Sequence, residues 1–333
     1  MTSVTHMSPT WRRFLIRQLP GAMIALTLIV ELLAFTLDGI PFRRHDLDRL
    51  ALDVEISDPT AASPRRIIVI GDSVTQDIFK TYTIGASGDV ANLTTNKASG
   101  MVGAYLLLGR YLEHQPAPRH LVIASTPEFF TFRPDGETAR VYLTTVFRRP
   151  AEVELLTEYL AEKGPPYSPA ILNMDERLGL KFLALLAPSP QGVSMGEKVP
   201  DPDLHSRPRE LPTLVREDII HRAQNTLNIP EVNFGVLKNI CALAEEFKFS
   251  IKILIAPIPQ STYELWKESK ILSRFESGRD AFLKADCPQA QVIDQGNLFL
   301  VPDEAMRDSD HLVRHGWTNY YAVILDNLIR AFP

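Results

Sequence analysis

A chain of 333 residues, 45% hydrophobic and 23% charged, has the make-up of globular protein and the length for one large domain plus an anchor or an insertion. Its formal net charge of -5 leaves no basic footprint, which sets nucleic acid aside as a primary partner. The two cysteines, Cys241 and Cys287, follow no metal-ligand spacing, and no metal or cofactor is expected; they read as buried thiols, or as a disulfide if the domain is exported.

Gly21 to Leu37 is an apolar run broken by one acid, Glu31, and preceded by Arg12, Arg13 and Arg17. As a helix it would measure roughly 25 Å, the short end of what spans a bilayer. No small-x-small cleavage site follows Leu37, and Asp38-Gly39-Ile40-Pro41-Phe42-Arg43-Arg44 reads as a polar stop. The expectation is that residues 1–40 hold a cytoplasmic stub and a single transmembrane helix in the inner membrane. The rest of the chain then lies in the periplasm or another extracytoplasmic space. Glu31, costly in lipid, would snorkel to the interface or meet a polar group of a membrane partner. Residues 41–64 are acidic and turn-rich and read as a linker.

The domain, residues 65–333, opens on Ile67-Ile68-Val69-Ile70, a β-branched run with no alternation, as in a strand buried on both faces. It halts at Gly71-Asp72-Ser73, placing Ser73 at the carboxyl end of the strand, where ligands bind in open α/β sheets. Taken alone, Gly-Asp-Ser is also an ordinary turn. A second strand is predicted at Val90 to Thr95, a helix at Met101 to His114 and a third strand at His120 to Ser125. Residues 132 to 230 break the alternation and read as an insertion over the site, with one clear helix from Pro150 to Lys163 and an irregular, proline-rich stretch from Pro188 to Pro212. Alternation resumes with a helix at Glu231 to Lys248, a strand at Ile251 to Ala256, a helical region at Tyr263 to Lys284, a short strand at Gln291 to Asp294 and a last helix from about His315 to Ala331. Five strands alternating with helices predict an α/β fold, a three-layer α/β/α sandwich on a mainly parallel, flavodoxin-like sheet.

A serine hydroxyl needs a base within hydrogen-bond reach, and the base needs an orienting group. Of the eight histidines, His311 has a carboxylate at a useful offset and follows the last strand, where it can meet the end of the first. Asp308, three residues earlier, can turn back to the imidazole Nδ1 and leave Nε2 for the Ser73 proton. Asp310 is adjacent in sequence and should point away. Oxyanion donors are expected from the Ser73 amide and from the Gly100 amide, the latter position being equally consistent with a simple turn.

Gly71-Asp72-Ser73, Gly100 and Asp308-x-x-His311 together resemble the first, second and last blocks of the SGNH, or GDSL, hydrolase superfamily. Asp308-x-x-His311-Leu312 followed by Gly316-Trp317, with Ile123-Ala124-Ser125-Thr126-Pro127-Glu128-Phe129-Phe130, resembles its membrane-anchored DltD and exopolysaccharide acyltransferase branch. The resemblance implies a serine O-acyltransferase that works beside a membrane-bound O-acyltransferase and modifies a polysaccharide or another hydroxyl acceptor. The superfamily's Gly-x-Asn-Asp block is absent, Ser125-Thr126-Pro127-Glu128 standing in its place. Without it, an esterase acting on a glycan or lipid and a non-catalytic glycan-binding scaffold stay open beside the transferase.

Overall fold

The computed structural model describes residues 18–36, 52–53, 55–56, 65–80, 89–134, 137–160, 212–313 and 316–332. The chain divides into two units, residues 1–47 with 168–193 and residues 48–167 with 194–333. In the first, the apolar run forms the 18-residue helix Leu19–Thr36, along which Met23, Ile24, Leu26 and Leu28 are each more than half exposed. Among the described residues no helix is long and apolar enough to cross a membrane, so the expected transmembrane anchor is not supported. At 1.5 Å per residue such a helix measures about 27 Å, short of the roughly 30 Å hydrocarbon core, and it holds Pro20 and Gly21 at one end and Glu31 inside.

The second unit is built on strands β1 (Ile67–Gly71), β2 (Val90–Asn92), β3 (His120–Ser125), β4 (Ser250–Ile255), β5 (Ile258–Pro259), β6 (Ala290–Val292) and β7 (Leu300–Val301). Five of them form one sheet in the order β2-β1-β3-β4-β6, with every pair parallel. Register places Ile67 beside both Val90 and His120, and Gly71 beside Ala124. The sheet order reverses direction between β1 and its neighbours, so the carboxyl ends of β1 and β3 border the crevice where such sheets bind ligands.

Alternate residues of these strands face opposite layers. Ile68, Ile70, Leu121, Ile123, Ile251 and Ile253 join one core with the helices Gly100–His114, Glu231–Phe247 and Ile271–Asp286. Ile67, Val69, Val122, Ala124 and Leu254 join the other with the helices Ser73–Lys80 and Trp317–Arg330. At about 1.5–3 kcal/mol per fully buried aliphatic side chain, these two layers are what hold β1 rigid behind Ser73. Cys241 and Cys287 form a disulfide between the helix Glu231–Phe247 and the end of the helix Ile271–Asp286, with Cα atoms 5.5 Å apart.

Several expectations shift. The span read as a linker carries Leu52 and Ile56, both buried in the core, while Asp53 pairs with Arg110. The insertion is built into the domain: its helices Glu137–Val146 and Pro150–Leu160 bury Tyr142, Leu143 and Leu156. The Pro188 to Pro212 stretch lies outside the described residues, except for Pro212 itself. The helical region near Tyr263 is two helices, Gln260–Glu268 and Ile271–Asp286, because Lys270 takes a left-handed backbone at φ 59° between them. The pair β5 and β7 escaped the sequence reading because two-residue strands are too short to show a period.

Candidate active site

The serine turn is made by its two preceding residues. A Cβ on Gly71 would stand 1.9 Å from the Ala124 carbonyl oxygen, so only glycine allows β1 to run this close to β3 before the chain turns. Asp72 is fully buried and caps the next helix: its Oδ1 accepts the amides of Val74 and Thr75 at 3.1 and 3.2 Å. Its Oδ2 accepts the Thr126 amide and hydroxyl at 2.8 and 2.7 Å. Ser73 therefore begins the helix Ser73–Lys80 with its turn bonded on both sides.

His311 arrives on a pinched loop. Met306 and Leu312 form an antiparallel bridge, and the Arg307 amide donates to the His311 carbonyl at 2.7 Å, closing residues 307–311 into a tight turn. Inside it, Asp308 Oδ1 accepts the amides of Asp310 and His311 at 3.0 and 2.8 Å. The same oxygen lies 2.9 Å from His311 Nδ1, and His311 Nε2 lies 3.1 Å from Ser73 Oγ. Arg307 reaches from this loop to Asp77, 3.0 Å away on the serine's own helix. Burial by itself would push the Asp308 carboxyl up. The hydrogen bond and charge of His311, with the two backbone amides, outweigh it and hold Asp308 well below the usual carboxylate range. Ser73, His311 and Asp308 thus meet as the sequence reading expected, in the order needed to take a proton from a serine.

Asp310 points away from the imidazole, as expected, into a cluster that the sequence reading missed. It binds Lys97 Nζ at 2.7 Å and Arg222 Nε at 3.1 Å. Arg222 also donates to Glu128 and, through Nη1, to the Ser309 carbonyl at 2.6 Å, while its guanidinium lies 5.7 Å from the Trp266 ring centroid. Burial pushes Asp310 up, but Arg222 and Lys97 more than reverse it and hold the carboxyl low. Burial likewise pulls Lys97 and Arg222 down, and the carboxylates of Asp310 and Glu128 raise both above their ordinary values. Arg222 ends the helix Thr213–Arg222 in the insertion, and nothing local in the sequence distinguishes it from any other helix-terminal arginine. It anchors the His311 loop, and Glu128, just past the end of β3, is its counterion.

The oxyanion donors are only half as expected. Among the described residues the Ser73 amide donates to no acceptor and stands at a helix N-terminus. Gly100 has the positive φ, 50°, that favours glycine, but its N–H donates to the Lys97 carbonyl, closing the Lys97–Ser99 turn. A second free donor is therefore not found at Gly100. Thr126, after the end of β3, turns its donors to Asp72. Among the described residues no group of three or more His, Cys, Asp or Glu side chains gathers as a metal site.

No protein-family model matches the chain, and no curated protein matches it. Among solved structures it is similar to a Streptococcus pneumonia protein whose description as a platelet activating factor is provisional. That likeness has 11% identity, covers 91% of this chain and 99% of the other, and has a TM-score of 0.40, too slight to carry a functional argument.

Proposed function

We propose that this protein is an SGNH-type serine acyltransferase that works outside the cytoplasm, moving an acyl group, acetyl in the simplest case, through a Ser73 ester to a polysaccharide hydroxyl. The observation that carries the reading is the unbroken chain from Ser73 Oγ to His311 Nε2 at 3.1 Å and from His311 Nδ1 to Asp308 at 2.9 Å. In the first half-reaction Ser73 Oγ attacks the acyl carbonyl carbon while His311 Nε2 takes its proton. The donor's C–O bond breaks and its oxygen receives that proton. In the second, the acceptor hydroxyl gives its proton to Nε2 and attacks the Ser73 ester, and Ser73 Oγ leaves with the proton. Asp308 holds the imidazole so that Nδ1 keeps its hydrogen, and the Ser73 amide donates to the developing oxyanion.

The disulfide supports an oxidising, extracytoplasmic compartment. The transferase branch, the polysaccharide acceptor and a membrane-bound O-acyltransferase as donor partner rest on the motif resemblance. A second reading, a glycan-binding scaffold without turnover, is favoured by the engaged amide of Gly100, which leaves the oxyanion fewer donors. Intact-mass measurement after exposure to p-nitrophenyl acetate separates them. One acetyl group is expected on the wild-type protein and none on Ser73→Ala; a wild-type protein that takes up neither acetyl nor a fluorophosphonate probe would leave the scaffold. Acetate release that an added oligosaccharide does not divert would make the enzyme an esterase.

A further inference from the structure

The proposed acyl transfer develops an oxyanion that fixed donors have to meet, and the Ser73 amide supplies one of them. With the Gly100 amide turned to the Lys97 carbonyl and both Thr126 donors turned to Asp72, a second has to come from elsewhere around the serine turn. The segment beside that turn is Thr94 to Lys97, which follows β2. Its Thr95 amide donates to the Gly71 carbonyl at 3.0 Å, and its Thr94 carbonyl accepts from Gln76 Nε2, on the serine's own helix, at 3.3 Å. At its other end Lys97 Nζ binds Asp310, the residue before His311, at 2.7 Å. The Tyr142 hydroxyl, from the insertion, is bonded to the Thr95 hydroxyl and accepts the Asn96 backbone amide at 3.4 Å. Asn96 is thus held in a strip bonded to both the serine turn and the His311 loop.

Its side chain carries a donor that the strip itself does not use. Oδ1 accepts the Ala98 amide at 2.9 Å, capping the Lys97–Ser99 turn, and this bond fixes which end of the side-chain amide is oxygen. Nδ2 is left over, and among the described residues it donates to no acceptor. The residue is half-buried, so the group is not sealed in the core. Neighbouring strands lie about 4.8 Å apart, and Asn96 follows Thr95 directly, as Ser73 follows Gly71 by two residues; one asparagine side chain and one hydrogen bond span such a gap to an acyl oxygen on Ser73. Asn92 has the same local pattern, its Oδ1 accepting the Thr94 amide and hydroxyl at 3.1 and 2.7 Å. It lies beside Val69, however, which at about 3.3 Å per residue is roughly 13 Å back along β1 from Ser73.

We infer that Asn96 is a catalytic residue, its Nδ2 the second donor to the oxyanion. The inference rests on the acyltransfer reading. As Ser73 Oγ bonds to the acyl carbon, the carbonyl electron pair moves onto the acyl oxygen, where the Ser73 N–H and Asn96 Nδ2–H meet it. The pair returns to the carbonyl as the donor's C–O bond breaks, and no proton passes to or from Asn96. The test is the pre-steady-state acylation of Ser73 by p-nitrophenyl acetate, followed by p-nitrophenolate release. Asn96→Ser and Asn96→Asp each keep an oxygen for the Ala98 amide and delete the Nδ2 donor, which separates the cap from the chemistry. Both are expected to lower the acylation rate constant at saturation about 10²–10³-fold with the half-saturating concentration and the urea midpoint unchanged, because the charge this donor meets exists only in the transition state. Asn92→Ser is expected to acylate within about twofold of wild type. Asn96 variants within about threefold of wild type, a loss that lies in the half-saturating concentration or the urea midpoint, or an equal loss in Asn92→Ser would overturn the inference and leave the acyltransfer reading in place. A wild type that takes up neither acetyl nor a fluorophosphonate would overturn that reading and the inference with it.

Discussion

The Asp72 carboxylate and Thr126 are joined by two hydrogen bonds, 2.8 Å from the Thr126 amide and 2.7 Å from its hydroxyl, while the other Asp72 oxygen caps the serine's helix. One buried side chain thereby sets the distance from the serine turn to the end of β3. Asp72→Ala is expected to lose the cap and leave the Thr126 donors unpaired, lowering stability by about 2–4 kcal/mol. The urea midpoint measures the first effect. The rate of Ser73 labelling should fall further than stability alone explains, because the helix N-terminus that carries the serine is no longer tied down.

In the proposed mechanism Asp308 acts through His311. With Asn at this position the amide can donate toward Nδ1 and favour the wrong tautomer, as in other serine triads where the same change lowers kcat by about 10⁴-fold. Asp308→Asn is expected to slow acylation of Ser73 by p-nitrophenyl acetate about 10³–10⁴-fold with the fold retained. A loss below tenfold would remove Asp308 from the triad.

The ion pairs of the loop that carries His311 predict the shape of stability against pH. Asp308 and Asp310 titrate lower folded than unfolded, so their contribution is present above the ordinary value of 3.8 and is lost as pH falls through the lowered folded values. Lys97 titrates higher folded than unfolded, so its contribution is complete below 10.5 and is lost as pH rises through its raised folded value. The contribution of these three groups to the urea midpoint should be flat between about pH 5 and pH 10 and fall on both sides. Lys97→Met should shrink the alkaline limb, to which the buried Tyr111 and Tyr321 hydroxyls also contribute, and shrink the acid one; a variant whose two limbs match those of wild type would show that the Lys97 pair with Asp310 carries none of this dependence.

The disulfide closes a loop of sequence separation 46, for which the chain-entropy account gives about 4 kcal/mol of stabilisation. Cys241→Ser with Cys287→Ser should unfold at lower urea by an amount in the range of about 2–4 kcal/mol. Reductant should shift the wild type in the same direction. Wild-type protein indifferent to reductant would mean that the two thiols are not paired in solution.

The meeting of Ser73, His311 and Asp308 was legible because each sits in a short local pattern: a buried strand halted by Gly71, and Asp308 three residues before His311. Strands β1 and β3 were legible for a related reason, since parallel strands buried on both faces read as near-continuous apolar runs. Strand ends were less so. Val90–Asn92 stops before the expected Thr95, because the residues after Asn92 leave the ladder with single bonds such as Thr95 to the Gly71 carbonyl.

By itself the sequence determined what is periodic or local: the α/β class, the strand that delivers Ser73, and the Asp308 and His311 pair. Only the tertiary structure decided that Arg222, 94 residues after Glu128, would meet it and the Ser309 carbonyl around Asp310. It likewise brought Cys241 to Cys287. A charge or a donor has no period along the chain, and its partner is chosen by packing between distant segments, because a buried group must find whatever complement the fold brings near it.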